Sequence, residues 1–328
     1  MGAVHFAQIE PVGQCNLRCR MCPIQYRQDG PPHGPLAFME FETFRRLIDQ
    51  LPELRVLHLQ GMGEPLMHPR FFDMVRYATV RGARVTTNTN LTLLSVRRAR
   101  LCVESGLAEL HVSLDGATAE TYERIRVKAR FDRVKRHLEE LLRVRRELRA
   151  ERPHIRLVMV VMRDNLHELR AMVELAHALG VESLFVQQLC HDFSEASLPA
   201  QYLPMRAFVE EQTLLNEDPA RVGRYFSEAR ERAAALGFDL RLPRTGIAPP
   251  AAAGRCDWPW RGPYISYQGD AMPCCMVGTP DRANLGNMAQ RGVQAVWDGP
   301  AYVEFRRALA SDAPPDVCRS CAVYKGVF

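Results

Sequence analysis

From residue 6 to residue 188 the chain alternates short apolar runs with longer amphipathic ones, the pattern of a parallel sheet whose strands are joined by crossover helices. Strands are predicted at Phe6 to Pro11, Val56 to Gln60, Ala83 to Asn88, Glu109 to Leu114, Ile155 to Met162 and Ser183 to Gln188. Between them, apolar residues recur at helical spacing: Phe44, Leu47, Ile48 and Leu51 in one segment, and Phe131, Val134, Leu138, Leu141 and Leu142 in another. Such a stripe is one buried helix face. Leu166, Leu169, Met172, Val173 and Ala176 repeat it and stop at Gly180, where a helix readily ends. Six such units in about 180 residues predict an α/β fold, a partial (β/α)6 TIM-like barrel with its working loops at the strands' C-terminal ends.

Beyond residue 190 the alternation stops. Residues 200 to 236 read as two helices broken at Asp218 and Pro219, and the Pro/Ala/Gly stretch from Pro243 to Gly254 reads as a linker. A hairpin is predicted at Tyr264 to Tyr267 and Ala271 to Cys274, turning at Gln268, Gly269 and Asp270. A short helix, Tyr302 to Leu309, and the pair Cys318 and Cys321 follow. The expected organisation is a barrel core over 1–190, a helical connector and linker over 191–254, and a small C-terminal domain over 255–328.

The composition, 47% hydrophobic and 25% charged over 328 residues with a formal net charge of +5, belongs to a globular chain and excludes disorder, collagen and coiled coil. The longest apolar run, Leu157 to Met162, is far short of the roughly 20 residues of a spanning helix. Glu10 and Arg18 interrupt the N-terminus, so no secretory signal is expected. A cytoplasmic protein without a membrane span is the expectation, and in that compartment thiols stay reduced. The ten cysteines then read as ligands before disulfides.

Cys15, Cys19 and Cys22 form C-x3-C-x2-C directly after the first predicted strand. Three soft ligands on one loop suit either an iron–sulfur cluster or zinc, but closed structural zinc takes four ligands, and no further Cys or His lies nearby before His33. On a four-iron cluster three thiolates leave one iron open to a small molecule. A zinc loop completed by His33 or a distant residue is the alternative.

A cysteine triad in this position of a six-unit β/α chain resembles the radical S-adenosylmethionine (SAM) enzymes, and the likeness extends along the strands. The second predicted strand ends in Gly61-Met62-Gly63-Glu64-Pro65, similar to the family's Gly-Gly-Glu-Pro turn, with Met62 where many members have glycine. The third ends in Thr87-Asn88-Thr89, like Thr-Asn-Gly, and the fourth in Ser113-Leu114-Asp115-Gly116, like Ser-Leu-Asp-Gly. The resemblance implies that carbonyls of the Gly61–Glu64 turn bind the SAM amino group. It also implies that Ser113 hydrogen-bonds the SAM carboxylate with help from Arg126, that Asn88 and Asp115 line the pocket, and that Met21 lies against adenine. Taken singly, Glu64 reads equally as a turn residue, Ser113 and Asp115 as caps for a helix starting near Thr118, and Arg126 as a solvated cation.

Cys256, Cys274, Cys318 and Cys321 supply four more thiolates, and Cys274 follows Gly269 by the spacing G-x4-C. This resembles the auxiliary-cluster domain called SPASM and its shortened form, twitch. The resemblance implies one auxiliary [4Fe-4S] cluster, so that the cofactors are two [4Fe-4S] clusters and SAM. A structural zinc ribbon satisfies the same four ligands. Cys275 would replace Cys274 as a ligand, or act catalytically by returning a hydrogen atom to a substrate radical, or be a buried inert thiol. Cys102 reads as core, and Cys190 as lying near the cavity or as packing.

Residues 124 to 149 carry eleven Arg or Lys against four acids; without interleaved aromatics this reads as a solvated helix face, not a nucleic-acid surface. Trp258 and Trp260 are expected to pack around the second cysteine set, or, where a ring is exposed, to face substrate. The family resemblance implies an electron from reduced flavodoxin or ferredoxin, cleavage of SAM to a 5′-deoxyadenosyl radical, and hydrogen abstraction from a substrate. Oxidation, epimerisation and decarboxylation all remain open outcomes. Because the chain starts almost at its first strand, a small molecule such as a sugar, aminocyclitol or nucleoside is expected in preference to a peptide. The rival reading is a metal-binding protein that uses both cysteine sets structurally.

Overall fold

The computed structural model describes residues 3–28, 37–189, 193–244 and 256–326. Its strands are β1 (Phe6–Ile9), β2 (Arg18–Cys19), β3 (Val56–His58), β4 (Arg84–Thr89), β5 (Glu109–Ser113), β6 (Arg126–Val127), β7 (His154–Val161), β8 (Ser183–Gln188), β9 (Asp239–Arg241), β10 (Tyr264–Ile265) and β11 (Ala271–Met272). Nine of them form one sheet in the order β11-β10-β1-β3-β4-β5-β7-β8-β9, while β2 and β6 pair separately. The central run β1-β3-β4-β5-β7-β8 is parallel throughout and coincides with the predicted strands.

Side chains alternate across these strands. Leu57, Leu59, Leu110 and Val112 are buried on the face that packs against helices, as in any β/α barrel. The opposite face carries Gln8, His58, Gln60, Thr86, Asn88, Glu109, His111 and Ser113, which bond one another across strands, for example Gln8 Nε2 to Gln60 O at 3.0 Å and His58 Nδ1 to Thr86 Oγ1 at 2.7 Å. The barrel lumen is therefore polar. Outside it, the helix Phe131–Glu147 buries Phe131, Val134, Leu138, Leu141 and Leu142, and the helix Leu169–Leu179 ends on Gly180 at φ 75°. Both carry the stripes expected of them.

The sheet does not stop where the predicted core ends. β9, within the segment read as a helical connector, adds parallel to β8 with Ser183 opposite Asp239. β10 of the predicted hairpin adds parallel to β1, with Gln8 opposite Tyr264, so barrel and C-terminal segment share one sheet. The hairpin turns at Gly269, whose φ of +91° suits glycine. In the connector, Asp218 caps the helix Pro219–Leu236 by accepting from Ala220 N at 3.0 Å, which is where the two helices were expected to break. Most of the linker Pro243 to Gly254, and also His33 and Cys190, lie outside the described residues. No described helix is long and apolar enough to cross a membrane.

Candidate active site

β1 delivers the chain to the loop holding Cys15, Cys19 and Cys22, and short-range pairing then fixes that loop. Cys22 N donates to Cys19 O at 3.0 Å, and Arg20 N donates to Ile125 O at 2.9 Å. β2 pairs antiparallel with β6, setting Cys19 opposite Arg126. Cys15 Sγ accepts from Leu17 N at 3.4 Å and from Asn90 Nδ2 at 3.7 Å, while Cys19 Sγ accepts from Arg126 Nη1 at 3.8 Å. Burial raises the pKa of all three thiols, and Cys19 is pushed up to about 12 although the Arg126 cation opposes the shift.

Burial holds these thiols toward their neutral forms, and neighbouring thiols add to the shift at Cys15 and Cys19, so added positive charge is needed to bring out the thiolates. A metal centre supplies that charge and binds them as thiolates. Among the described residues no three His, Cys, Asp or Glu side chains converge in the manner of ligands to one ion; thiolates held by separate irons of a cluster need not converge so. The donor set thus fits an iron–sulfur cluster.

The turn Gly61–Pro65 lies flat on this loop. A Cβ on Gly63 would stand 2.1 Å from Val12 O and 2.5 Å from Gln14 O, so only glycine allows the contact. Glu64 N donates to Gln14 O at 2.9 Å. The Glu64 carboxylate is buried, and burial raises its pKa against the pull of its donors. It accepts from Leu66 N at 3.0 Å, Thr89 Oγ1 at 2.6 Å and Asn90 N at 2.8 Å. Its side chain therefore fastens the turn to the end of β4, while within the turn Met62 N donates to Glu10 Oε1 at 3.0 Å and Gly61 O accepts from Gln60 Nε2.

Ser113, the last residue of β5, is half-buried, and its hydroxyl takes no hydrogen bond among the described residues. Asn88 lies beside it on β4 with Oδ1 2.9 Å from His111 Nδ1. Asp115 differs from expectation. Wholly buried, it accepts from Arg126 Nε at 2.6 Å and from Val160 N at 2.8 Å, so it does not line an open pocket but ties β5 to β7 and holds Arg126.

Arg126 likewise is neither solvated nor free. Burial opposes its charge, but Asp115 and Cys19 outweigh this and keep it cationic. Neither Ser113 nor Asp115 caps the helix Ala119–Ile125; Thr118 does so, accepting from Thr121 N at 3.3 Å, with Glu168 accepting from Thr118 Oγ1 at 2.6 Å. Met21 is 7% exposed and belongs to the core cluster. Met62 reaches the C-terminal segment, where a Cβ on Gly278 would stand 2.1 Å from Met62 Cε.

In that segment Cys256, Cys274, Cys318 and Cys321 line one pocket with Trp258, Val277, Phe305 and Arg282; Cys275 is not among the lining residues. Burial first, and then neighbouring thiols, raise the pKa of Cys256, Cys274 and Cys318. Arg282 Nη2 pairs with Glu195 Oε1 at 2.6 Å, sits 4.4 Å from the Phe193 ring centroid and donates from Nη1 to Val277 O at 3.1 Å. Trp258 packs edge-on against Phe6 with centroids 5.6 Å apart. Trp260 is 44% exposed.

Residues 9–176 match the model of the radical SAM superfamily. The chain belongs to that superfamily. Residues 256–322 match a second model, SPASM, an iron–sulfur cluster-binding domain. The cofactors of this radical SAM enzyme are accordingly SAM and iron–sulfur clusters, one kind binding SAM and the other auxiliary.

Similar curated proteins include a tungsten-containing aldehyde ferredoxin oxidoreductase cofactor-modifying protein from Pyrococcus furiosus, 24% identical over 97% of this chain and 87% of its own. An AdoMet-dependent heme synthase from Methanosarcina barkeri is 27% identical over 95% and 86%. A PqqA peptide cyclase from Ruegeria pomeroyi is 27% identical over 94% and 77%. Among solved structures, Streptococcus suis SuiB bound to precursor peptide SuiA superimposes with TM-score 0.72 at 14% identity, covering 99% of this chain and 71% of that one. It shows the same fold.

One feature of this radical SAM enzyme has no clear sequence signal. Glu10, read only as an interruption of the N-terminus, forms a fully buried ion pair with Arg27 at 2.6 Å. The same carboxylate accepts from Met62 N at 3.0 Å and Tyr267 N at 3.4 Å, and the Arg27 guanidinium lies 5.4 Å from the Tyr267 ring centroid. A Cβ on Gly61 would stand 2.4 Å from Glu10, and one on Gly13 2.4 Å from Tyr267. Cysteine loop, glycine turn and hairpin thus meet at one buried carboxylate.

Proposed function

We propose that this radical SAM enzyme modifies a peptide. Cys15, Cys19 and Cys22 hold the SAM-binding [4Fe-4S] cluster, and Cys256, Cys274, Cys318 and Cys321 hold one auxiliary cluster. With SAM bound, the first cluster supplies hydrogen-atom abstraction from an unactivated carbon once a one-electron reductant acts, for which reduced flavodoxin or ferredoxin is the proposed class. The protein's share is placement. The Gly61–Gly63 backbone accepts from the SAM amino group, Ser113 donates to its carboxylate, Asn88 lines the pocket, and Met21 lies near adenine. Arg126, charged and held by Asp115, stands beside Cys19 and stabilises the thiolate form.

What supports the radical reading is a cysteine loop and the turn Gly61–Pro65 held together at the buried Glu10 carboxylate, with a second set of four cysteines lining one pocket. The peptide reading rests on relatives named as peptide cyclases that align over nearly the whole chain and on the likeness to a structure holding a precursor peptide. These favour a peptide over the small molecule first expected. A small-molecule substrate keeps support from relatives named as heme synthases. Cys275, adjacent to the proposed ligand Cys274, is the candidate for returning a hydrogen atom.

The test is anaerobic turnover with short peptides encoded beside the gene, each deuterated at one residue type. Deuterium appearing in 5′-deoxyadenosine together with a mass change in the peptide is the expected result. SAM cleavage stimulated by a porphyrin or sugar and by no peptide would overturn the peptide reading.

A further inference from the structure

The lumen faces of β4 and β5 carry side chains for which the cysteine chemistry has no use. His111 Nδ1 lies 2.9 Å from Asn88 Oδ1, and His111 Nε2 lies 2.9 Å from Glu109 Oε2. Both ring nitrogens thus face oxygens, yet a neutral imidazole has one N–H and one lone pair. The Glu109 carboxylate, paired with Arg84 and 4.0 Å from Arg156 Nη1, only accepts, so the N–H of a neutral ring belongs on Nε2. Nδ1 is then a lone pair. It can be met only by the amide NH2 of Asn88, whose two amide ends have the same shape, and the amide oxygen then turns to the lumen. An imidazolium would do the reverse, donating to both oxygens and turning the NH2 to the lumen.

The groups facing this ring are Glu109 on its own strand, Arg84 on β4, Arg156 on β7, and His58 on β3 with ring centroids 6.1 Å apart. His58 is held by Thr86 Oγ1 at 2.7 Å. Burial, aided by the Arg156 and Arg84 cations, pushes the His111 pKa down against the pull of Glu109, which favours the neutral ring at neutral pH.

We propose that His111 is a positioning residue: held by Glu109 in its Nε2–H tautomer, it fixes the Asn88 amide with Oδ1 toward the lumen as an acceptor for a hydroxyl or ammonium donor of bound SAM. Taking one proton from solvent onto Nδ1 inverts the amide and replaces the acceptor by a donor. The proposal rests on the assignment of Asn88 to the SAM pocket.

Two measurements test it. Nitrogen-15 histidine NMR of the full chain, with His111→Gln as the assignment control, reads the tautomer. Calorimetry of SAM binding to the anaerobically reconstituted protein reads affinity against pH. The expected results are an Nε2–H signal near neutral pH and a wild-type loss of SAM affinity on acidification below about pH 6.5 that exceeds that of His111→Gln by about threefold or more at the acid end of the range in which the protein stays folded. Glutamine keeps a hydrogen bond to Asn88 without titrating, so it should hold near wild-type affinity at neutral pH where His111→Phe does not. An Nδ1–H tautomer, or one pH dependence shared by wild type and His111→Gln, overturns the relay. Wild-type affinity in Asn88→Ala at neutral and acid pH, with the tautomer as expected, overturns the placement of Asn88 at SAM instead.

Discussion

The two thiol sets sit in opposite surroundings. The loop of Cys15, Cys19 and Cys22 is bordered by Arg126, Asn90 and Glu64, and its neighbouring strand end offers the Ser113 hydroxyl, which takes no hydrogen bond among the described residues. The pocket of Cys256, Cys274, Cys318 and Cys321 is lined mainly by apolar and aromatic side chains, with Arg282 tied to Glu195. Three thiolates on an iron–sulfur cluster would leave one iron open to a polar ligand beside the polar side chains of the first site. Four in an apolar wall would close the coordination of their cluster and shield it from water. Ligand count and wall chemistry point the same way at each site.

The sharpest way to break this contrast is to remove one thiol from each site. Cys15→Ala should lower SAM cleavage by on the order of 10³-fold or more, whereas Cys318→Ala should leave measurable cleavage uncoupled from product. Equal and total loss in two folded variants would erase the distinction. Next in size is Asp115→Ala, which leaves Arg126 buried without its partner. A loss of about 3–5 kcal/mol in unfolding free energy is expected, and an unchanged denaturant midpoint would show that the pair does not hold the loop. Gly63→Ala, placing a Cβ against Val12 O, should cost about 1–3 kcal/mol and weaken SAM binding while iron content stays near wild type.

Glu109 gives a smaller effect, confined to acid. Burial raises its pKa, but His111 and Arg84 outweigh that and hold it at about 2. A carboxyl depressed in the folded state stabilises the fold above its ordinary range, and that contribution is lost as pH falls from about 4.5 toward 2. Glu109→Gln should therefore flatten the acid side of the stability profile; an identical acid limb would remove Glu109 from the lumen network. Trp260→Ala should change stability by no more than about 0.5 kcal/mol, since half-exposed side chains away from special contacts seldom matter more.

Much of this was legible in the sequence because local patterns encode it. The barrel strands follow from period-two runs, and the hairpin from the turn around Gly269. β9 was not legible, since Asp239–Arg241 is short and bears no buried face. The pairing of β10 with β1 joins residues more than 250 positions apart, beyond any local signal.

The two cysteine sets stood out by their spacing, but the pairing of Asp115 with Arg126 did not, because the helix Ala119–Ile125 folds them together. Spacing also left Cys274 and Cys275 interchangeable; the pocket wall separates them. Glu10 was read only as an interruption of the N-terminus, and its buried pair with Arg27 is completed by the hairpin residue Tyr267.

The central claim is that the two cysteine sets do separate work, and the triple variant Cys15→Ala, Cys19→Ala, Cys22→Ala tests it most directly. After anaerobic reconstitution it should retain about four irons per chain in a single cluster, and its EPR spectrum in the reduced state should be unchanged by added SAM. A SAM-dependent change in that spectrum, or loss of all iron from a folded protein, would contradict the division.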